Sequence, residues 1–260
     1  MSKIFISNWK MNPQSFSEAE SLLKLALKFK TPKIKIVLCP PFVWLRDLIL
    51  KSKNKIEFGA QNMFFEEKGA FTGEISYKML KNIGIKYVIL GHSERRNIFG
   101  ETNEMISKKV FAAVSNNLVP ILCVGENLNI RKKGKKIFEK FVLNQLEASL
   151  STLIHNKIFN KEIIIAYEPV WAISGSGLGI ADTPENAKSI TSLIKNFLFK
   201  NGFKKFLVLY GGSVNSSNVL NFFSQKEIDG GLVGSASVNF DEFSKMIQIL
   251  NKGLKKINKK

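Results

Sequence analysis

Glu168 ends an apolar run led by three β-branched residues, Ile163-Ile164-Ile165-Ala166-Tyr167, and Pro169 follows it at once. A buried parallel strand reads as a continuous apolar run. Pro169 cannot donate to a sheet ladder, so such a strand stops there and leaves Glu168 at its carboxyl end. Two other apolar runs end in the same manner: Lys10 lies just past residues 3–8, and His92 with Glu94 just past residues 87–90. A carboxylate base, an imidazole proton donor and a cation on one rim suit proton abstraction beside a carbonyl. Glycine-rich turns at 174–179, at Gly211-Gly212-Ser213 and at Gly234-Ser235 would expose backbone N–H groups that form anion-binding nests. Taken one at a time these residues decide nothing. A strand-end carboxylate is usually solvated, a lone His structural and a lone Lys on the surface, and only their joint occurrence carries weight.

The elements that must position them follow from the apolar pattern. Strands are expected at 3–8, 34–39, 56–61, 87–90, 119–123, 163–167, 206–210 and 230–233. Helical segments follow at 17–30, up to about 50, around 75–83, at 101–116 and 135–153, after Thr183-Pro184-Glu185, and at 240–250. A Thr cap with Pro at the first helical position is a start signal. The lysine-rich end, 251–260, reads as frayed. Strand–helix alternation implies a parallel sheet. Eight such units in a chain of 260 residues match a (β/α)₈ barrel better than its rival, a doubly wound open sheet. No Pro/Gly/Ser-rich linker divides the sequence, so one catalytic domain over 1–260 is expected.

Composition removes several classes of function. No run of about 18 apolar residues is present, so no spanning helix is expected. The first residues lack the apolar stretch of a signal peptide. The two cysteines, Cys39 and Cys123, lie in strand-like segments and read as reduced, packed thiols of a cytoplasmic protein. The 39 Lys and Arg against 21 Asp and Glu give +18, a balance that can mark nucleic-acid binding. The basic residues are dispersed, however, and the dense run Arg131-Lys132-Lys133-Gly134-Lys135-Lys136 has no interleaved aromatics. A solvated lysine-rich surface that attracts small anions is the expectation, with no nucleic-acid or membrane partner.

Asn8-Trp9-Lys10-Met11-Asn12, Gly91-His92-Ser93-Glu94-Arg95-Arg96, Tyr167-Glu168-Pro169-Val170-Trp171-Ala172-Ile173 and Tyr210-Gly211-Gly212-Ser213-Val214 resemble the signature blocks of the triosephosphate isomerases. Gly59-Ala60-Gln61-Asn62, Gly69-Ala70-Phe71-Thr72-Gly73-Glu74 and Cys123-Val124-Gly125-Glu126 resemble further segments of that family. The blocks occur in family order almost to the end of the chain. The resemblance implies a single-domain TIM barrel that interconverts dihydroxyacetone phosphate and glyceraldehyde 3-phosphate in glycolysis and gluconeogenesis, with no metal or organic cofactor. By match, Glu168 is the general base and His92 polarises the carbonyl as a neutral imidazole at a helix start, which is this family's own well-known arrangement. Ser93 reads as the cap of that helix. Lys10 would hold the dianion, Asn8 would orient substrate or support Lys10, and Glu94 would serve positioning, proton relay or helix capping. The resemblance places phosphate on backbone N–H groups of Ser174 or Gly175, Ser213, Gly234 and Ser235.

Two departures stand out. The segment after Ile173 is about three residues longer than the family's usual lid, and Ser235 stands where a second Gly is usual. Ser235 keeps the N–H donor provided it lies at negative φ. The long loop 62–73 resembles the family's interlocking loop, which implies a homodimer with Thr72 near the partner's Asn8 and Lys10. Two alternatives remain beside this reading: another phosphate-binding barrel enzyme, and a basic binding protein on a barrel scaffold.

Overall fold

The structure, a computed structural model, describes residues 2–29, 32–173 and 180–257. Eight parallel strands close in sequence order into a barrel. They are β1 Lys3–Asn8, β2 Ile34–Cys39, β3 Glu57–Ala60, β4 Tyr87–Leu90, β5 Val119–Val124, β6 Glu162–Tyr167, β7 Lys205–Tyr210 and β8 Gly230–Val233. The barrel closes where Ile4, Phe5, Ile6 and Ser7 pair with Gly230, Gly231, Leu232 and Val233. Every strand therefore ends on the same rim, and the loops that follow β1, β4 and β6 bring Lys10, His92 and Glu168 there.

The continuous apolar runs split into two cores by alternation. Ile4, Ile6, Val37, Ile89, Ile121, Ile164, Ala166 and Leu209 fill the barrel interior. Their neighbours, such as Phe5, Leu38, Val88, Leu122 and Ile165, pack outward against helices. This is the period-2 geometry of a strand buried on both faces.

The surrounding helices are α1 Phe16–Lys28, α2 Phe42–Ser52, α3 Tyr77–Asn82, α4 Ser93–Asn97, α5 Asn103–Ser115, α6 Leu128–Arg131, α7 Lys135–His155, α8 Pro184–Lys200, α9 Val219–Phe223 and α10 Phe240–Ile257. Single 3-10 turns follow β6 at Val170–Ala172 and β8 at Ser235–Ser237. Side-chain caps start several helices: Ser15, Ser76, Thr102 and Thr183 each accept a backbone N–H of the first turn. One expectation is corrected at the far end. The helix does not end near Leu250 but continues to Ile257, and the rest of the expected tail, 258–260, lies outside the described residues. Leu254 is buried, and its carbonyl accepts a hydrogen bond of 3.0 Å from Lys33 Nζ, so the last turns are tied to the body of the molecule.

Candidate active site

A buried carboxylate is held from both sides of its strand end. Glu168 follows β6, and its N–H donates to Val124 O at 2.8 Å. The residue is 2 % exposed. One carboxylate oxygen, Oε2, accepts the Ser93 N–H at 3.0 Å, and Oε1 lies 3.1 Å from His92 Nε2. Both contacts come from the turn after β4, so the rim brings together residues 76 positions apart in sequence, with no intervening side chain. Gly211 borders the carboxylate as well: a Cβ there would lie 2.9 Å from Glu168 Cγ.

His92 itself corrects one expectation. The cap of α4 is His92 rather than Ser93, whose place is the first helical position. The Glu94 N–H donates to His92 Nδ1 at 3.3 Å. A nitrogen that accepts carries no proton, so Nδ1 is bare and the ring proton sits on Nε2, facing Glu168. The first turn of α4 thus fixes the ring orientation, with Nε2 aimed at the rim.

Lys10 sits in the left-handed region at φ 53°. Its N–H donates to Asn8 Oδ1 at 3.1 Å, and Gln61 Nε2 donates to its carbonyl at 2.8 Å and to that of Cys39 at 2.9 Å. Asn8 therefore supports the unusual backbone of Lys10, which is costly for a side-chain-bearing residue unless its surroundings enforce it. The ammonium pairs with Glu94 Oε1 at 2.5 Å. Glu94 is thereby an ion-pair partner of Lys10 as well as a first-turn residue of α4.

The phosphate donors expected from the glycine-rich turns divide into three groups. Ser174 and Gly175 lie outside the described residues. Gly234 and Ser235 line the site with Asn8, Lys10, His92, Glu168, Gly211 and Gly212. Ser235 is not among the non-glycine residues at positive φ, and it opens a 3-10 turn whose first N–H groups have no acceptor within the turn. Ser213 differs from expectation, because its N–H donates to Ala172 O at 3.0 Å. The turn after β7 packs on the 3-10 turn after β6, and that donor is already engaged within the protein.

The space among Lys10, His92, Glu168 and the two glycine turns is about 20 Å³, room for roughly one water. A larger cavity of about 350 Å³ shares Asn8, Lys10 and His92 with it and continues past Glu94, Met11 and Phe99. Among the described residues no group of three or more His, Cys, Asp or Glu could hold a metal ion, and no helix is long and apolar enough to cross a membrane.

The family described as Triosephosphate isomerase matches residues 3–250. A triosephosphate isomerase of Thermoanaerobacter pseudethanolicus is 42% identical over 247 residues, 94% of this chain and 98% of that protein. The chain belongs to the triosephosphate isomerase family. Triosephosphate isomerases of Dictyoglomus thermophilum and Endomicrobium trichonymphae are likewise 42% identical, over 254 and 260 residues, and each is covered to 97% or more. As expected of that family, the fold is a TIM barrel, and the chain is an isomerase.

Sequence reasoning gave no role to Arg96 or Glu126, both of which support the site. Arg96 Nε and its two terminal nitrogens donate to Gly91 O at 2.6 Å, Asn103 Oδ1 at 2.6 Å and Cys123 O at 3.1 Å, locking the β4 turn to β5 and α5. Burial pulls that guanidinium below its ordinary value. Burial and the neighbouring Glu168 push the Cys123 thiol far up, so it is a packed thiol without nucleophilic character. Glu126, wholly buried, receives Trp171 Nε1 at 2.8 Å and the Tyr167 hydroxyl at 3.1 Å. Its place three residues after Cys123, in a block that resembles the family, was the available signal.

Proposed function

We propose that this chain interconverts dihydroxyacetone phosphate and D-glyceraldehyde 3-phosphate through an enediolate, with Glu168 as the general base, His92 as the proton donor to the carbonyl oxygen and Lys10 as the cation beside the developing charge. One observation carries the reading: His92 offers its Nε2 proton on the same rim as a buried carboxylate, because Glu94 N–H fixes the opposite ring nitrogen. A carbonyl oxygen placed at Nε2 would leave the adjoining carbon within reach of Glu168. The base must first exchange its bonds to Ser93 N–H and His92 for the substrate carbon, and Lys10 must share its ammonium between Glu94 and the substrate. The phosphate would rest on N–H groups of Gly234 and Ser235, joined by Ser213 once it leaves Ala172 and by Ser174 or Gly175.

The same reading includes a homodimer in the cytoplasm. The loop 62–73 is stiffened by Phe64, which stacks on Phe65 at 4.3 Å and lies 4.6 Å from Phe71, and it carries Thr72 exposed near its tip. The cavity that runs from Lys10 and Glu94 to Met11 and Phe99 would receive that loop from a second copy.

Turnover of glyceraldehyde 3-phosphate tests the assignment. Wild type is expected to be active, and Glu168→Gln, which keeps the shape but removes the base, is expected to lose about 10²–10⁴-fold in kcat with little change in KM. Equal rates for the two proteins, or no turnover by wild type, would overturn it.

A further inference from the structure

A polar cluster stands directly behind the base, on residues for which the reaction itself has no use. Glu126 follows β5 and is fully buried, yet it accepts from Trp171 and Tyr167, and its carbonyl accepts the Val170 N–H at 3.0 Å. Tyr167 precedes Glu168 by one residue, and Val170 and Trp171 follow it by two and three. The backbone that carries the base is thus fastened at three points to one glutamate.

Arg131, the last residue of α6, fixes that glutamate and Trp171 together. One terminal nitrogen lies 3.4 Å from Glu126 Oε1, and the other donates to Asn186 Oδ1 at 2.7 Å. The guanidinium also lies 4.9 Å from the centroid of the Trp171 ring and 3.9 Å from that of Phe138. Asn186 in turn donates to Asp182 Oδ1 at 2.8 Å, which sets its amide with the carbonyl toward Arg131. Arg131 is therefore held from α7 and α8 while it touches both the face of Trp171 and the acceptor of its indole N–H. A planar fork that stacks and donates in two directions is a property of arginine and not of lysine.

We propose that Arg131 is a positioning residue for the isomerisation: through Glu126 and Trp171 it fixes the backbone on which Glu168 is carried, an inference that rests on Glu168 being the general base. The charged and titratable groups facing Glu126 and Asp182 are Arg131 from α6, Tyr167 from β6 and Tyr210 from β7. Burial pushes both carboxyls above the usual carboxylate range, and Arg131, the cation that acts on both, opposes this. Without that cation Glu126 keeps its proton to higher pH and loses acceptor strength toward Trp171 and Tyr167.

Steady-state kinetics across pH of wild type, Arg131→Met and Arg131→Lys, with amide hydrogen exchange at Val170 and Trp171, test this. In R131M kcat is expected to fall about tenfold while KM stays within about twofold, as for a misplaced base. The acid limb of kcat should move to higher pH in R131M and return in R131K, which restores only part of kcat. Exchange at Val170 and Trp171 should be faster in R131M. Wild-type kcat and an unmoved acid limb in R131M would overturn the proposal, as would a lower melting temperature with unchanged kinetics. Should R131M fail to fold, Asn186→Ala loosens the same guanidinium, and wild-type exchange at Val170 and Trp171 in that variant would overturn it. If wild type shows no isomerase turnover, the assigned reaction fails, and the exchange measurement alone still decides whether Arg131 orders this backbone.

Discussion

At the scale of single residues, Glu168 is placed by what its neighbours lack. A Cβ on Gly125 would stand 1.7 Å from Glu168 O, and one on Gly211 2.9 Å from Glu168 Cγ and 3.2 Å from Tyr167 O. The first is a backbone collision, so Gly125→Ala should destabilise the fold by at least the 1–3 kcal/mol or so of ordinary overpacking. The second meets a side chain that must move in the proposed reaction. Gly211→Ala is therefore expected to fold and to lose about 10²-fold in kcat/KM, measured by steady-state turnover. A second residue on this rim makes a pH prediction. Burial alone would raise the Glu101 carboxyl, but Lys109 Nζ at 2.6 Å and Arg95 Nε at 2.5 Å outweigh it and hold it below its ordinary value of 4.5. A depressed carboxyl contributes stability that is present above the unfolded-state value and lost as pH falls through the folded one. Thermal unfolding of wild type should thus weaken more steeply below pH about 4.5 than that of Glu101→Gln. At neutral pH the variant should be less stable by about 3–5 kcal/mol, because Lys109 is left buried without its anion. Parallel pH profiles for the two proteins would refute this.

At the scale of elements, legibility followed burial. Strands β1, β2, β4 and β8 have the bounds read from their apolar runs, β5, β6 and β7 differ by one residue at one end, and β3 by one residue at each end. Strands buried on both faces leave an unbroken signal, which is why the rim and its Lys10, His92 and Glu168 could be placed from sequence. Two short helices left none: α6 and α9 span 4 and 5 residues, too short for a helical period. The basic run at 131–136 consequently looked like solvated charge, although Arg131 lies between two aromatic rings. The cap of α4 was hidden for another reason, since His ranks low as a cap and serves here through a ring nitrogen. Ser213 was read as a free donor because nothing local shows that Ala172, 41 residues earlier, accepts from it. The lengthened segment after Ile173 is not itself alarming, since closing a loop longer by three residues costs only about 0.3 kcal/mol by the logarithmic law. The misread C-terminus offers a direct test. Lysines in 251–260 suggested a loose end, whereas Leu254 is buried and Gly253 lies close against Leu220, where a Cβ would meet Leu220 Cδ1 at 2.5 Å. Deleting residues 251–260 is expected to destabilise the protein by about 2–3 kcal/mol, the value of burying a leucine side chain and a little more. A denaturant titration with an unchanged midpoint would show that the last turns of α10 contribute nothing.

At the scale of the whole molecule, charge and apolar surface make different demands. A net charge of +18 raises the concentration of phosphate esters near the rim, and that attraction is screened over about 10 Å at 0.1 M salt. The apolar surface, by contrast, gathers beside the site. Met11 is 84% exposed, Ile98 70% and Phe99 66%, with Phe71 at 43% on the loop that carries Thr72. Met11 and Phe99 line the cavity that opens from Lys10 and Glu94, so whatever covers these side chains also dries the ion pair that steadies the cation of the site. In the proposed dimer the covering element is the partner's loop 62–73, and two equivalent contacts of this kind form around one twofold axis. Separating the subunits would return four large apolar side chains per chain to water and would open Lys10 to solvent, where its pairing with Glu94 weakens. Light scattering at micromolar concentration should therefore give twice the chain mass for wild type. Thr72→Arg puts a long, charged side chain where the proposed contact takes a small one and should shift the mass toward one chain. Turnover per chain should then fall with dilution in step with the monomer fraction, about tenfold or more when dissociation is complete. A wild-type protein that is monomeric and fully active at every concentration would remove the dimer from this reading and leave the exposed patch without a partner.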